Sequence, residues 1–145
     1  MKLRYLFLLW SVLTVGLLAA PAQEPIWVGL VKADNTLPTE EERLVKLQRR
    51  LKCVFGFEAY HLMHEATVAS GEKYAQWVLP RKDFYLKLEP QAGSGIHYEL
   101  YRDKTLLVEG RVDPKPGRPL FISGPNYLDG RLIFILQRVP AEKQP

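Results

Sequence analysis

The spacing of apolar residues changes at Gly56, and this change constrains the fold more than any other feature of the chain. Before it, Leu44, Leu47 and Leu51 recur at the three- to four-residue spacing of one helical face. After it, apolar and polar residues alternate, and glycine or proline interrupts the alternation every few residues. The pattern predicts one amphipathic helix followed by short strands with one dry and one wet face, as antiparallel sheets allow.

Eight apolar runs have the composition of strands. Short gaps between successive runs favour hairpins and a meander over parallel crossovers. The first run differs, because the helix after it could carry the chain to a parallel neighbour. We therefore predict an α+β fold, a mostly antiparallel meander sheet or sandwich of seven or eight strands with one helix, about 40–55, packed on it. The runs are 26–33, 57–69, 74–79, 84–89, 96–101, 106–112, 119–123 and 131–138.

The ends of the helix and the last strand carry local signals. Thr39 and Glu42 have the spacing of a capping box, in which each side chain accepts from the other residue's amide. Gly56 is a natural C-terminal stop. The run 132–137, LIFILQ, is apolar at both parities, so we expect a strand covered on both faces, with the helix as the second cover.

The N-terminus has the three parts of a secretory signal peptide. Lys2 and Arg4 precede an apolar run over 6–18, which ends in an alanine-rich stretch. The run is shorter than the roughly 20 residues of a spanning helix, although an uncleaved anchor is the alternative. The sequence thus predicts an exported protein, periplasmic or secreted. Its parts are a signal peptide over 1–22, one α+β domain over 23–139 and a flexible tail over 140–145.

The charge of the mature chain argues against a nucleic-acid partner. Cleavage removes Lys2 and Arg4, which lowers the formal net charge from +4 to +2. The remaining cations are scattered and form no basic stripe. No later apolar run approaches membrane length, so no membrane span is predicted for the mature chain.

The stretch SGPNYLDGR, 123–131, resembles a phosphate loop in composition only. A phosphate loop needs glycines that open a helix, whereas Arg131 leads into a strand. We predict a hairpin loop of six or seven residues in which Asp129-Gly130 supplies the positive φ.

His61, His64 and Glu65 are the weak metal-site candidates of the sequence. Their order matches neither H-E-x-x-H nor H-x-x-E-H. On a strand, positions 61 and 64 are expected to point to opposite faces, and only a continued helix would bring all three together. The main prediction is therefore two ordinary histidines.

Cys53 is the chain's single cysteine, so it cannot form an internal disulfide. Helical geometry sets it opposite the leucine stripe, near Lys46, Arg49 and Arg50. A catalytic cysteine needs a base, and no signature sets a histidine beside it. We predict an exposed thiol, with a disulfide to a second chain as the alternative.

The sequence gives no set of residues whose spacing demands chemistry. There is no nucleophile elbow, and the scattered carboxylates define no acid–base pair. We therefore predict no catalytic residue and no cofactor. Trp77, Tyr101 and Tyr127 are not assigned to the core and are candidates for a partner-binding surface.

Several apolar and turn segments resemble a recurring type of small exported bacterial α+β domain. They are the strand ending at Ala33, the helix closing on 53–57, and 60–62, 77–80, 119–125 and 129–133. The resemblance implies a shared fold and export, and it brings no catalytic residues to this chain.

The expected function is a non-enzymatic binding or structural accessory domain of the bacterial cell envelope. Its partner would be another envelope protein, and an unpaired edge strand offers docking by strand addition. Two alternatives remain open, a small hydrolase-like secreted enzyme with a site assembled from distant residues, and a metal-binding chaperone.

Overall fold

The computed structural model describes residues 24–38, 40–69, 73–78, 84–91, 93 and 95–140 of the 145-residue chain. The predicted signal peptide, and the predicted tail apart from Pro140, lie outside this part. The described residues form eight strands and one helix. These are β1 Ile26–Asp34, α1 Glu42–Phe55, β2 Ala59–Val68, β3 Tyr74–Val78, β4 Phe84–Pro90, β5 Ile96–Arg102, β6 Thr105–Val112, β7 Leu120–Tyr127 and β8 Gly130–Arg138.

The strands form two four-stranded antiparallel sheets. Sheet A has the order β2-β1-β8-β7, and sheet B is the meander β3-β4-β5-β6. The chain enters sheet B after β2, returns to sheet A with β7, and closes that sheet by setting β8 beside β1. The predicted α+β class with one helix is confirmed. Within the described residues, no helix is long and apolar enough to cross a membrane.

The predicted parallel neighbour of β1 is wrong, because β1 and β2 pair antiparallel. The segment 35–41 leads the chain back before α1 begins. Arg43, in the first turn of α1, lies 3.7 Å from Glu65, whereas Lys52 near its end lies 2.7 Å from Glu58. The helix therefore ends beside the start of β2, at the edge where β1 ended.

Two apolar cores lie on the two faces of sheet A. The first lies between the sheets and the second between sheet A and α1. In β8, Leu132, Phe134 and Leu136 join the first core, while Ile133 and Ile135 join the second. The expectation that this strand is covered on both faces, with the helix as one cover, is confirmed.

Sheet B buries only its inner face in the described structure. Phe84, Leu86 and Leu88 of β4 and Leu100 of β5 are buried between the sheets. The residues that alternate with them are half-buried or exposed and belong to neither core. Because α1 packs on sheet A, the second face of sheet B is free of a helix in the part described.

The two ends of α1 differ in how well the sequence predicts them. The N-cap is Glu41, whose carbonyl accepts from the amides of Leu44 and Val45 and whose side chain makes no capping hydrogen bond. The predicted capping box is therefore wrong, because the sequence spacing does not determine which residue is the N-cap. Thr39 itself lies outside the described residues. Gly56 ends the helix as predicted, with φ 77° and its amide donating to the Lys52 carbonyl.

The β7–β8 hairpin is tighter than the predicted six- or seven-residue loop. Tyr127 pairs with Gly130, so the turn has two residues, and Leu128 supplies the positive φ, 52°. Gly130 serves close packing, because a Cβ there would lie 2.0 Å from the Ala33 carbonyl oxygen. The predicted role of Asp129-Gly130 is wrong, because most of the segment predicted as a loop belongs to strands β7 and β8.

Candidate functional site

The outer face of sheet B is the candidate functional site. Its side chains alternate with the inter-sheet core residues of β4, β5 and β6, and the antiparallel registers align them in rows across the strands. The face is made by Tyr85, Lys87, Glu89, His97, Glu99, Tyr101, Leu106, Glu109 and Arg111.

One row of this face is aromatic and apolar. Tyr85 is paired with Tyr101, their ring centroids are 6.4 Å apart, and Tyr101 is paired with Leu106. Backbone register sets Trp77 opposite Tyr85 on β3; the Trp77 side chain lies outside the described part. We call Tyr85, Tyr101 and Leu106 the aromatic row. It contains one residue that the sequence proposed for partner binding, Tyr101.

The next row contains a network of ion pairs and hydrogen bonds. The Lys87 ammonium lies 3.0 Å from a Glu89 oxygen and 3.5 Å from Glu99 Oε2, and the Tyr101 hydroxyl donates to the same Glu99 oxygen at 2.8 Å. The hydrogen bond to Glu89 raises the pKa of Lys87, and donation to Glu99 raises the pKa of Tyr101. These contacts hold lysine, glutamate and tyrosine side chains in defined positions on the open face.

His97 joins this network at its other side. Its Nδ1 lies 3.6 Å from Glu99 Oε1, and its Nε2 lies 3.5 Å from Glu109 Oε2. Among the described residues, these three form the group of ligand types close enough to hold one metal ion. None of the three was predicted from the sequence as a metal ligand.

A shallow groove of about 390 Å³ runs beside the aromatic row. It is lined by Tyr85, Lys87, Tyr101, Asp103 and Lys104. Asp103 has a φ of 52° at the β5–β6 turn, a conformation that aspartate tolerates better than most residues. The outer face therefore combines aromatic rings, a groove and charged side chains on one rigid sheet.

A second polar group, the Asp34 cluster, lies where β1 ends. It consists of Lys32, Asp34, Thr36, His61 and Asp129. Asp34 is 1% exposed, and its Oδ1 accepts from the Thr36 hydroxyl at 2.6 Å and the Thr36 amide at 3.0 Å. Lys32 lies 2.9 Å from both Asp34 and Asp129, so it joins the end of β1 to the β7–β8 turn.

Electrostatics keep Asp34 ionised inside the fold. Burial alone would raise its pKa, but hydrogen bonds from Thr36 and Lys32 outweigh burial and hold the pKa well below its usual range. The pKa of Lys32 is raised, chiefly by its hydrogen bond to Asp129 and then by that to Asp34. Both ions therefore stay charged at neutral pH.

The Asp34 cluster does not have the geometry of a hydrolytic triad. A triad needs a histidine that faces its nucleophile with one ring nitrogen and its carboxylate with the other. Here His61 Nε2 faces both groups, 3.2 Å from the Thr36 hydroxyl and 3.3 Å from Asp34 Oδ1. The arrangement suits a structural cap on β1.

The sequence's metal candidates lie on two faces of β2. A β-bulge adds Met63 to the strand, so His61 pairs with Lys32 and His64 with Leu30. The two histidines thus occupy positions of one face, and the expectation of opposite faces is wrong. Glu65 lies on the helix side, where it accepts from the Trp27 indole at 2.7 Å. The three residues do not converge.

The remaining candidates are dispersed. Tyr127 packs, partly buried, against the inter-sheet core. Cys53 is exposed on α1, as its helical position predicts, and the intermolecular disulfide stays a prediction. The sequence missed Tyr85, Lys87 and the His97 group. Because these residues alternate with apolar ones, the sequence placed them on the solvent-facing side of their strands. Which of them lie side by side depends on the register in which the strands pair.

Comparison with known proteins gives no match to protein-family models, curated proteins or solved structures. A function for this chain therefore depends on the geometry of its own residues.

Proposed function

We propose that the chain is an exported, non-enzymatic binding domain of the bacterial cell envelope, and that it holds another envelope protein on the outer face of sheet B. One observation carries the proposal. The sheet face without a helix, in the part described, presents paired tyrosine rings beside ordered charges. A surface of that kind resembles the aromatic centre and polar rim of protein interfaces.

The dimensions of the face suit a compact contact. Three strands about 4.8 Å apart make the aromatic row about 10 Å wide, which is enough to receive a helix of a partner. Tyrosine suits such a surface, because it buries a large ring and keeps a polar end. Leu106, 41% exposed, extends the apolar row onto β6.

The chemistry favours a protein over a polysaccharide as the partner. Sugar recognition would need polar groups with free hydrogen-bonding capacity beside the rings. The Tyr101 hydroxyl donates its proton to Glu99 and the Lys87 ammonium is paired with Glu89 and Glu99, which reduces the donors that these two groups offer to a sugar. The rings therefore offer apolar surface, which the apolar side chains of a protein would cover.

Strand addition, the docking mode suggested by the sequence, has less support than docking on the face. Three edge strands are irregular, since β2 and β6 carry extra residues at Met63 and Leu107, and β7 is irregular at Gly124-Pro125. Bulges and proline are devices that discourage edge pairing. The regular register of 108–112 on β6 is where an added strand would fit best.

Export is supported by the basic, apolar and small-residue parts of 1–22. The expected mature chain begins at Gln23 and leaves the cell with the periplasmic or secreted fraction. N-terminal sequencing of the protein from a bacterium that exports it tests this. A full-length chain retained with membranes would favour the anchor and contradict cleavage.

The partner surface is testable by photo-crosslinking in the producing bacterium. A photoreactive phenylalanine analogue would replace Tyr85 or Tyr101 in turn, with Val45 on α1 as the exposed control, 56% accessible. We expect one discrete adduct from positions 85 and 101 and none from 45.

Two outcomes would contradict the proposal. Equal adducts from all three positions would mean non-specific contact, and an adduct whose added mass is removed by glycosidase would mean a polysaccharide partner. A purified adduct should also identify a partner whose binding falls at least tenfold on Tyr85→Ala. Val45→Ala is the matched change on α1 and should leave binding within twofold.

A further inference from the structure

We propose that His97, Glu99 and Glu109 form a binding site for a divalent transition-metal ion of the zinc type on the outer face of sheet B. The proposal goes beyond partner binding and does not depend on it. It rests on the position, distances and charges of three side chains that two neighbouring strands hold on one face.

The backbone brings the three residues together. His97 and Glu99 are two apart on β5 and therefore share a face. Glu109 on β6 is the direct cross-strand partner of Glu99. The positions are fixed by the ladder on either side, so the site lies on regular strands, which hold ligands more firmly than loops do.

The two glutamates face different ring nitrogens of His97, so one glutamate must turn towards the nitrogen that the other already faces before the site closes on one ion. One ligand atom from each residue lies within 4.8 Å of the other two. Tetrahedral zinc with bonds near 2.0–2.1 Å requires ligand atoms roughly 3.3 Å apart. Glu109, whose side chain is 57% exposed, can make most of the adjustment, whereas His97 and Glu99 are 20% and 16% exposed and more restricted.

The two carboxylates of the group attract a cation, whereas Lys87 beside Glu99 and Arg111, the cross-strand partner of His97, oppose it. Glu99 and Glu109 face each other across the strands, and like charges in directly opposed pairs destabilise a sheet. Lys87 and the Tyr101 hydroxyl both contact Glu99 Oε2, while Oε1 is the oxygen near His97. Hydrogen bonds and ion pairs from residues outside the ligand set orient metal ligands, and here they direct one oxygen of Glu99 towards the site.

The donor set selects the class of ion. One imidazole nitrogen with two carboxylate oxygens suits Zn²⁺ and its first-row neighbours, and it leaves at least one position for water. Ca²⁺ takes six to eight oxygen ligands, and Mg²⁺ prefers an all-oxygen octahedron. We therefore expect Zn²⁺ to bind and Ca²⁺ and Mg²⁺ to compete poorly.

A direct ion pair of a protonated His97 with both glutamates is the competing explanation of the same geometry. It would need no metal. The two differ in one measurable respect, which is saturable binding of one Zn²⁺ per chain through these three side chains.

Isothermal titration of the mature chain with zinc chloride at pH 7.5 tests the proposal. Cys53→Ser would be present in every variant, so that the exposed thiol contributes nothing. We expect one Zn²⁺ per chain, with at least tenfold weaker binding in His97→Gln and in Glu109→Gln. The matched controls, His64→Gln at a half-buried position of β2 and Glu40→Gln at an exposed position, should stay within twofold.

Folding is monitored in the same variants without zinc. Glu109 is mostly exposed and faces Glu99, so Glu109→Gln should keep or slightly raise the parent's Tm and lose the Tm rise caused by zinc. Absence of saturable binding, equal loss in the His64→Gln control, or Ca²⁺ binding as tight as Zn²⁺ would each overturn the proposal.

Discussion

Sheet A and sheet B have the same number of strands but differ in what covers them. Sheet A lies between α1 and sheet B, and its central strand β8 is buried from Leu132 to Leu136. Among the residues that the structure describes, sheet B has one buried face, and its outer face holds tyrosines, a histidine and paired charges. The sheets thus have different constraints on sequence.

Because the two sheets are covered differently, we expect the side chains of sheet A to determine stability and those on the outer face of sheet B to determine binding. In sheet A almost every side chain of the central strands contacts a core, so a change there disturbs folding. On the outer face of sheet B a side chain can change with little loss of packing. A binding surface is therefore expected on sheet B, and the polar cluster on sheet A, around Asp34, is expected to be structural.

The largest effect is expected from Phe134→Ala. Phe134 is 1% exposed in the core between the sheets, and truncation of a buried phenylalanine costs about 3–5 kcal/mol of the free energy of unfolding. Urea denaturation would measure it. A loss below about 1 kcal/mol would mean that the two sheets do not share this core.

The next effect is expected from Asp34→Asn, at about 2–4 kcal/mol, because the change removes the charge of a buried carboxylate that is paired with the partly buried Lys32. The pKa of Asp34 is lower in the folded chain, so its stabilisation is present above the unfolded value near 3.9 and is lost as pH falls through the folded value.

Urea denaturation between pH 7 and pH 2 would test this pH dependence. The wild-type free energy of unfolding should fall progressively below about pH 5, and the variant's curve should be flatter over the same range. Parallel curves would show that Asp34 does not provide the acid-sensitive stability.

A smaller effect, about 1–3 kcal/mol, is expected from Gly130→Ala. The new Cβ would meet the Ala33 carbonyl at 2.0 Å, so β1 and β8 would have to move apart. Gly95→Ala, before β5 of sheet B, is the matched control, since its nearest atom is 3.7 Å away. Equal thermal stabilities of the two variants would contradict the close packing of Gly130 on β1.

The smallest effect on stability is expected from Tyr85→Ala. Its ring packs on Tyr101 on an open face, so the loss should be about 0.5–1 kcal/mol. Chemical denaturation beside the crosslinking assay would separate the two roles. A loss comparable with that of Phe134→Ala would mean that the ring belongs to a core and would weaken its assignment to binding.

The sequence predicted the antiparallel class, the single helix and its end at Gly56, and the double cover of β8. These properties follow from local spacing and from glycine's tolerance of positive φ. The prediction was wrong where contacts between residues far apart in the sequence determine the structure. The bulge at Met63 places His61 and His64 on the same face of β2. The β7–β8 turn is only Leu128-Asp129, because strand pairing extends through the predicted loop.

Of the candidate site, the sequence supplied Tyr101 and the fact that His97 and Glu99 alternate with apolar residues. It did not pair Glu99 with Glu109, because a distance across strands depends on register, and a shift of one residue moves every side chain to the other face.

The sequence by itself therefore determined which residues are apolar, where α1 ends and that β8 is covered on both faces, because these depend on neighbours along the chain. Only the tertiary structure decided which sheet α1 covers and which charges meet on the face it leaves open. Those outcomes depend on strand order and register, which bring residues far apart in sequence within contact distance.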